Sequence, residues 1–226
     1  VTLFYQPRLK EGINILEEDE AHHAKVLRLS VGDKFLVTDG KGLLCEAAFT
    51  KGFDFKILSE KNSPRNYSTH LFVAPTKNAD RIEWLVEKAT EIGVSSITML
   101  QCERNERKNV NHDRLVKMAI SAMKQSQQSW LPEIRPLTAF ERIVQDKSSD
   151  QNFVAYVDHT NPDQLKNLAK AGKSYSLLIG PEGDFTDEEI GLALKSGWQK
   201  VSLGPTRLRT ETAALVGVLT LTLVNS

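Results

Sequence analysis

Two apolar runs, each broken by a glycine-proline turn, constrain this chain more than anything else in it. Leu177-Leu178-Ile179 stops at Gly180-Pro181-Glu182-Gly183-Asp184-Phe185. Val201-Ser202-Leu203 stops at Gly204-Pro205-Thr206-Arg207-Leu208-Arg209, which leads into a helical pattern from Glu211 to Val224. A short helical stretch, Thr186 to Ser196, lies between them, with Thr186 and Glu189 spaced as a capping box. Strand, turn and helix repeated at this spacing predict parallel strands with crossover helices. Open α/β sheets hold ligands in loops at the carboxyl ends of their strands. The two loops are therefore expected to line one pocket.

The same grammar reaches back to about residue 69. Strands are expected at His70 to Ala74, Ser96 to Leu100 and Phe153 to Val157. Helices are expected at Asn78 to Ile92, closed by Gly93, at His112 to Ser126, and at Pro162 to Ala171. In the first, Ile82, Leu85, Val86, Ala89 and Ile92 share one face; in the second, Leu115, Met118, Ala119 and Ala122 point inward. Such alternation argues for a mainly parallel sheet covered on both faces.

Residues 1–68 read differently. Short runs at Leu3 to Tyr5, Ile13 to Leu16, Lys34 to Thr38, Leu43 to Phe49 and Phe55 to Ser59 are separated by Gly32-Asp33, Asp39-Gly40 and Lys51-Gly52. Many short strands with frequent turns suggest a small β-barrel. One helix interrupts them, at Asp19 to Leu29, acidic at its start and basic at its end as the helix dipole favours. Lys61-Asn62-Ser63-Pro64-Arg65-Asn66 reads as a linker. The expected organisation is thus a β domain over 1–68 and an α/β domain over 69–226.

Composition narrows the function classes. The 226 residues carry 29 basic and 29 acidic side chains, which weighs against a protein that simply coats nucleic acid. Between Glu103 and Lys124, however, six basic residues (Arg104, Arg107, Lys108, Arg114, Lys117, Lys124) face three acidic ones. That face could grip phosphates or simply be solvated. No run approaches the length of a membrane span. Val1-Thr2-Leu3-Phe4-Tyr5 lacks the layout of a signal peptide, and Cys45 and Cys102 form no close pair. A cytoplasmic chain with reduced thiols is expected.

Several motifs fail. Gly172-Lys173-Ser174 lacks the earlier glycine of a phosphate loop, since Asn167 stands there, and a helix precedes it. His22 and His23 are adjacent, so on a helix they point about 100° apart and cannot chelate one metal as an i, i+4 pair does. No metal is expected.

The two glycine-proline loops remain. Gly180 at a strand end would let a ligand approach the backbone closely. Thr210 can cap the last helix, and Glu211 suits its first turn. Arg207 and Arg209 stand just before a helix start, where a cation is unfavourable, so their placement reads as functional.

Ile179-Gly180-Pro181-Glu182-Gly183, followed by Leu203-Gly204 and Arg207-Leu208-Arg209-Thr210-Glu211-Thr212-Ala213, closely resembles the SPOUT methyltransferases, specifically the bacterial small-subunit ribosomal RNA methyltransferase E family. His22-His23-Ala24-Lys25-Val26-Leu27-Arg28, Lys77 with Asp80-Arg81, Lys88 to Val94, and Gln125-Ser126 before Leu131-Pro132-Glu133-Ile134 extend the likeness over nearly the whole chain. Two departures stand out. The family often has Gly-Arg where this chain has Gln127-Gln128, and Gly-Gly where it has Gly183-Asp184.

The resemblance implies a PUA-like β-barrel followed by an α/β domain with a C-terminal trefoil knot, assembled as a homodimer. It implies methylation of N3 of one uridine in the decoding region of 16S ribosomal RNA, with S-adenosylmethionine as cofactor and the small ribosomal subunit as partner. Ile179, Gly180, Pro181, Glu182, Gly183, Leu203, Gly204, Leu208 and Thr210 are the expected cofactor contacts. Arg209 is the expected catalytic cation beside the uracil oxygen that gains charge. Glu182 or Glu211 is expected to take the N3 proton. Arg8, His22, Arg28, Lys77, Arg81 and Arg104 are expected to contact RNA. Two alternatives stay open: a SPOUT-like enzyme acting on another RNA, and a non-catalytic RNA-binding protein that keeps the fold.

Overall fold

The structure, a computed structural model, describes residues 1–9, 12–107, 109–146, 148–156 and 163–226. They fall into two compact units, Val1–Arg65 with Ile120–Leu131, and Asn66–Ala119 with Pro132–Ser226.

In the first unit β1 (Leu3–Tyr5), β2 (Ile13–Ile15), β3 (Lys34–Thr38), β4 (Leu43–Lys51) and β5 (Asp54–Asn62) form one sheet in the order β1-β3-β4-β5-β2. Alternation along β3 and β4 turns Phe35, Val37, Cys45, Ala47 and Phe49 inward, where Phe4 and Phe55 join them. The rings of Phe4 and Phe35 meet edge-on with centroids 5.1 Å apart, a geometry their quadrupoles favour. Two register shifts between β4 and β5 bend that pair. The edge strands are bridged by a buried side chain: Gln6 Nε2 donates to the Ile15 carbonyl at 3.3 Å, and Gln6 Oε1 accepts from the Glu17 N–H at 3.3 Å. The helix α1 (Glu18–Val26) follows β2 and ends three residues earlier than expected.

Residues 120–131 belong to this unit through specific bonds. Lys124 Nζ lies 2.7 Å from both carboxylate oxygens of the buried Glu20, and Trp130 Nε1 donates to the Ser63 carbonyl at 2.7 Å. Lys124 is therefore a structural cation and not part of a solvated basic face. The expected linker is shorter than its composition suggests, because Lys61 and Asn62 finish β5.

The second unit contains β6 (Ser68–Val73), α2 (Ala79–Ile92), β7 (Ser96–Gln101), β8 (Glu133–Ala139), α4 (Phe140–Gln145), β9 (Gln151–Ala155), α5 (Leu165–Leu168), β10 (Ser174–Ile179), α6 (Asp187–Lys195), β11 (Gln199–Val201) and α7 (Thr210–Val224). The helix α3 (His112–Gln125) begins in this unit and passes into the first at Ile120. The sheet order is β11-β9-β10-β6-β7-β8, and every pair is parallel. Leu71, Val73, Leu177 and Leu178 are wholly buried, as expected of inner strands covered on both faces. The helix α7 packs on β6, β10 and α2, while α4 and α6 pack on each other.

The α/β architecture matches the sequence expectation, with local differences. The sequence reading contains no β8, whose Pro136 is tolerated because β8 is an edge strand. The helix expected from Pro162 has only the turn Leu165–Leu168 among the described residues; Pro162 itself, like Val157 at the end of the expected strand, lies outside them. β11 starts and ends two residues before the expected Val201 to Leu203. The capping box at Thr186 and Glu189 forms, and Gly93 closes α2 with φ 99°.

Candidate active site

β9, β10 and β11 end together, and the chain leaving their carboxyl ends surrounds a cavity of about 500 Å³. Its wall contains Ile179, Gly180, Pro181 and Glu182 from one glycine-proline loop and Leu203, Gly204, Leu208, Arg209 and Thr210 from the other. The two loops thus share one cavity, as their positions in the sequence predict. Of the expected site residues on these loops, Gly183 and Glu211 are not on the wall.

Direct bonds hold the loops together. The Thr210 hydroxyl donates to the Gly180 carbonyl at 3.1 Å, and Arg207 Nη2 reaches the Glu182 carbonyl at 3.5 Å. Thr210 is therefore not the cap of α7, the role expected for it. Arg209 occupies the cap position without a side-chain bond, and Thr210 is the first helical residue. Its hydroxyl faces the neighbouring loop because Gly180 offers a carbonyl that the sheet leaves free.

Gly180 is also needed for a reason that its neighbours in the sequence do not show. A Cβ there would lie 3.0 Å from Cε2 of Phe185, so the missing side chain makes room for that buried ring. Gly204 is different. Its φ of 139° is a backbone conformation that L side chains rarely adopt, and the space a Cβ would take is open.

The three candidate catalytic residues occupy different settings. Arg209 is exposed on the cavity wall, and its guanidinium forms no hydrogen bond or ion pair with other described residues. Glu182 is on the wall with a half-exposed side chain. Glu211 is buried at 7% exposure, with its Oε1 3.6 Å from Arg81 Nε, and its Oε2 has no hydrogen-bond partner among the described residues.

The basic residues expected to contact RNA are placed as follows. In the first unit Arg8 is exposed and lies 3.8 Å from Glu17, His22 is exposed on α1, and Arg28 is exposed with φ 56°. In the second unit Lys77 pairs with Glu106 at 3.0 Å, and that hydrogen bond raises its ammonium pKa. Arg104 donates to the carbonyls of Gly183 and Phe185 at 2.9 and 3.4 Å, so it clamps the loop after β10. Arg107 does the same for the loop after β6, through the carbonyls of Thr76 and Lys77. Arg81 sits between Glu182 and Glu211. Lys108 of the same basic run lies outside the described residues.

Sequence reasoning missed the third side of the cavity. Ala155 and Tyr156, at the end of β9, line it too, and Lys200 Nζ lies 5.2 Å from the Tyr156 ring centroid. The only signal available was the expected strand over Phe153 to Val157; nothing in the linear order says that β9 lies beside both β10 and β11. Neither cysteine offers a nucleophile, since burial pushes the Cys45 thiol up to about 11 and raises Cys102 further. Among the described residues no cluster of three or more potential ligands could hold a metal, and no helix is long and apolar enough to cross a membrane.

Comparison with known proteins places this geometry. Residues 63–222 match the RNA methyltransferase domain, and residues 16–58 match the RNA methyltransferase PUA domain. Ribosomal RNA small subunit methyltransferase E of Aquifex aeolicus is 26% identical over 225 residues, covering 94% of this chain and 95% of its own. The crystal structure of a probable rRNA-methyltransferase from Porphyromonas gingivalis superposes with a TM-score of 0.91 at 33% identity, covering 100% of this chain and 98% of that one. A methyltransferase from Legionella pneumophila, solved with its bound cofactor SAM, gives 0.87 at 26% identity, covering 99% and 98%. This chain belongs to the SPOUT-class RNA methyltransferases of the ribosomal RNA small subunit methyltransferase E family.

Proposed function

We propose that this chain transfers a methyl group from S-adenosylmethionine to N3 of one uridine in the decoding region of 16S ribosomal RNA, on the assembled small subunit. The observation that supports this reading is the single cavity at the carboxyl ends of β9, β10 and β11, lined by both glycine-proline loops. Its volume of about 500 Å³ lies in the range of small-molecule sites. The residues present fit the cofactor. Ile179, Leu203 and Leu208 give apolar wall, and Gly204 leaves backbone open to a close-lying group.

Bound S-adenosylmethionine supplies an electrophilic methyl carbon with a thioether as leaving group. The protein's share is then alignment and proton handling. Uracil N3 must lose its proton as it takes the methyl group. Two carboxylates line the cavity wall, Glu182 and Asp184; Asp184 Oδ1 accepts from the Phe185 N–H at 2.8 Å, and Glu182 is the one assigned to accept the N3 proton, while Glu211, buried and off the wall, is left with another task. Arg209, exposed on the wall and bound to no other described side chain, stands beside the O2 or O4 that gains charge. A uridine held in a stack cannot reach such a wall, so the target base must be exposed.

The exposed Arg8, His22 and Arg28 of the PUA-like unit are assigned to phosphate or base contacts. The same reading takes the chain as a homodimer with a knotted C-terminal region. Exposed Trp84 on α2 and Leu219 and Leu223 on α7 suit a partner surface.

Methyl transfer from labelled S-adenosylmethionine to small subunits and to naked 16S rRNA, followed by mass mapping, tests the reading. Label on one uridine N3 in the subunits is the expected result. Label on another nucleotide, or on transfer RNA instead, overturns it. Full labelling by Arg209→Ala removes Arg209 from the mechanism.

A further inference from the structure

Three charged side chains of the second unit connect two helix starts with the cavity wall. Arg81, in the first turn of α2, has Nη1 3.7 Å from Glu182 Oε1 and Nε 3.6 Å from Glu211 Oε1. Glu211 is buried at 7% exposure, and its Oε2 has no hydrogen-bond partner among the described residues. A buried carboxylate is costly unless it is paired. Glu211 therefore holds Arg81 firmly, because Arg81 is its one ion-pair partner among the described residues.

Glu182 is in the opposite situation. It stands in a loop between Gly180 and Gly183, its side chain is 39% exposed, and the Arg81 guanidinium is its ion-pair partner among the described residues, with the Lys77 ammonium farther off. Left alone, such a side chain would sample many rotamers. A guanidinium anchored from behind by a buried carboxylate cannot follow it into solvent. It confines Glu182 to the part of its range that stays near the cavity.

We propose that Arg81 is a positioning residue, anchored by Glu211, that holds the Glu182 carboxylate at the cavity wall, and that it is not a phosphate contact. The assignment rests on the methyl-transfer reading given above. It also gives Glu211 a task that does not require it to face the cavity.

Steady-state kinetics of methyl transfer to small subunits test this in four proteins: wild type, Arg81→Lys, Arg81→Met, and Arg81→Met with Glu211→Gln. Arg81→Met is expected to lower kcat roughly 10- to 100-fold, the scale of a misplaced catalytic group, with KM for subunits within about threefold of wild type. Arg81→Lys keeps a cation in reach of both carboxylates and is expected to recover most of kcat. Arg81→Met alone leaves a buried charge unpaired and can cost the fold. The double variant removes both charges and is expected to stay folded with the same loss of kcat.

A raised KM with kcat intact, and a shallower dependence of binding on salt, would make Arg81 a phosphate contact and overturn the assignment. Unchanged kcat in the folded double variant overturns it as well. A wild-type protein that transfers no methyl group sinks the parent reading and takes this assignment with it, so the two failures are distinguishable.

Discussion

The two loops that meet at the cavity are built in different ways. The loop after β10 is fixed along its length. The Asp184 N–H bonds to the Pro181 carbonyl at 2.9 Å, Arg104 holds the Gly183 and Phe185 carbonyls, and the Thr186–Glu189 capping box fixes the start of α6. The loop after β11 is held mainly at its ends. Gly204 N–H bonds to the Ser202 hydroxyl at 3.3 Å, and the Arg209 carbonyl accepts from Ala213 at 2.8 Å. Between those points Pro205, Thr206 and Arg207 are exposed, and only the long Arg207 bond crosses to the other loop. One wall of the cavity is thus built before anything binds, while the other keeps backbone freedom that binding must remove.

The largest expected effect lies on the freer wall. Arg209→Ala should lower kcat by about 100- to 1000-fold, the scale of losing one preorganised charge donor, with little change in Tm; single-turnover methyl transfer measures it. Hydrogen exchange compares the loops directly. Amides of residues 206–209 should exchange about tenfold faster than those of 183–186, a difference worth about 1.4 kcal/mol of opening free energy. Equal protection would erase the distinction. Thr210→Val removes the bond that joins the loops. It should weaken S-adenosylmethionine binding about fivefold in calorimetry, in line with about 1 kcal/mol for one hydrogen bond.

The smallest effect is expected at Asp184, whose φ is 61°. Asp184→Gly relieves the backbone there but loses the Asp184 Oδ1 bond to the Phe185 N–H, so thermal unfolding should shift by less than about 1 kcal/mol in stability. A larger loss would mean that the side chain matters more than the turn it sits in.

That position also shows what the sequence could and could not reveal. The two positions where the family resemblance leads one to expect glycine, Asp184 and Gln127, both fall in left-handed backbone, at φ 61° and 55°. The sequence shows a missing glycine at each place but not the substitute support. Asp184 caps its own turn, and Gln127 Nε2 donates to the Val1 carbonyl at 3.2 Å. Local signals were legible where chain neighbours carry them: the capping box at Thr186, the glycine that ends α2, and the strands β1 and β3 to the residue.

Signals that depend on distant partners were not legible. Pro136 hides β8, which survives as an edge strand. Residues 120–131 read as the end of an ordinary amphipathic helix and its turn, yet Lys124 and Trp130 bond to Glu20 and Ser63 in the first unit. The glycine-proline pairs marked two sides of the cavity; Tyr156 on the third has no comparable motif. The cap role expected for Thr210 was reasonable from neighbours alone, and its bond to Gly180 decides otherwise; the room that Gly180 leaves for Phe185 was equally out of reach of neighbours.

Gly217 is not on the cavity wall, yet it sets how closely the helix that carries part of that wall can lie on Leu177. A single added carbon there would sit 2.4 Å from Leu177 Cδ2, so α7 lies against β10 with no thickness to spare. Ala213, one turn earlier on the same helix face, is part of the cavity wall. Any side chain at 217 would have to displace the end of the buried Leu177 side chain beneath that helix. The close seat of that helix on the sheet is thereby gauged by an atom that is missing, about one helical turn from the cavity wall.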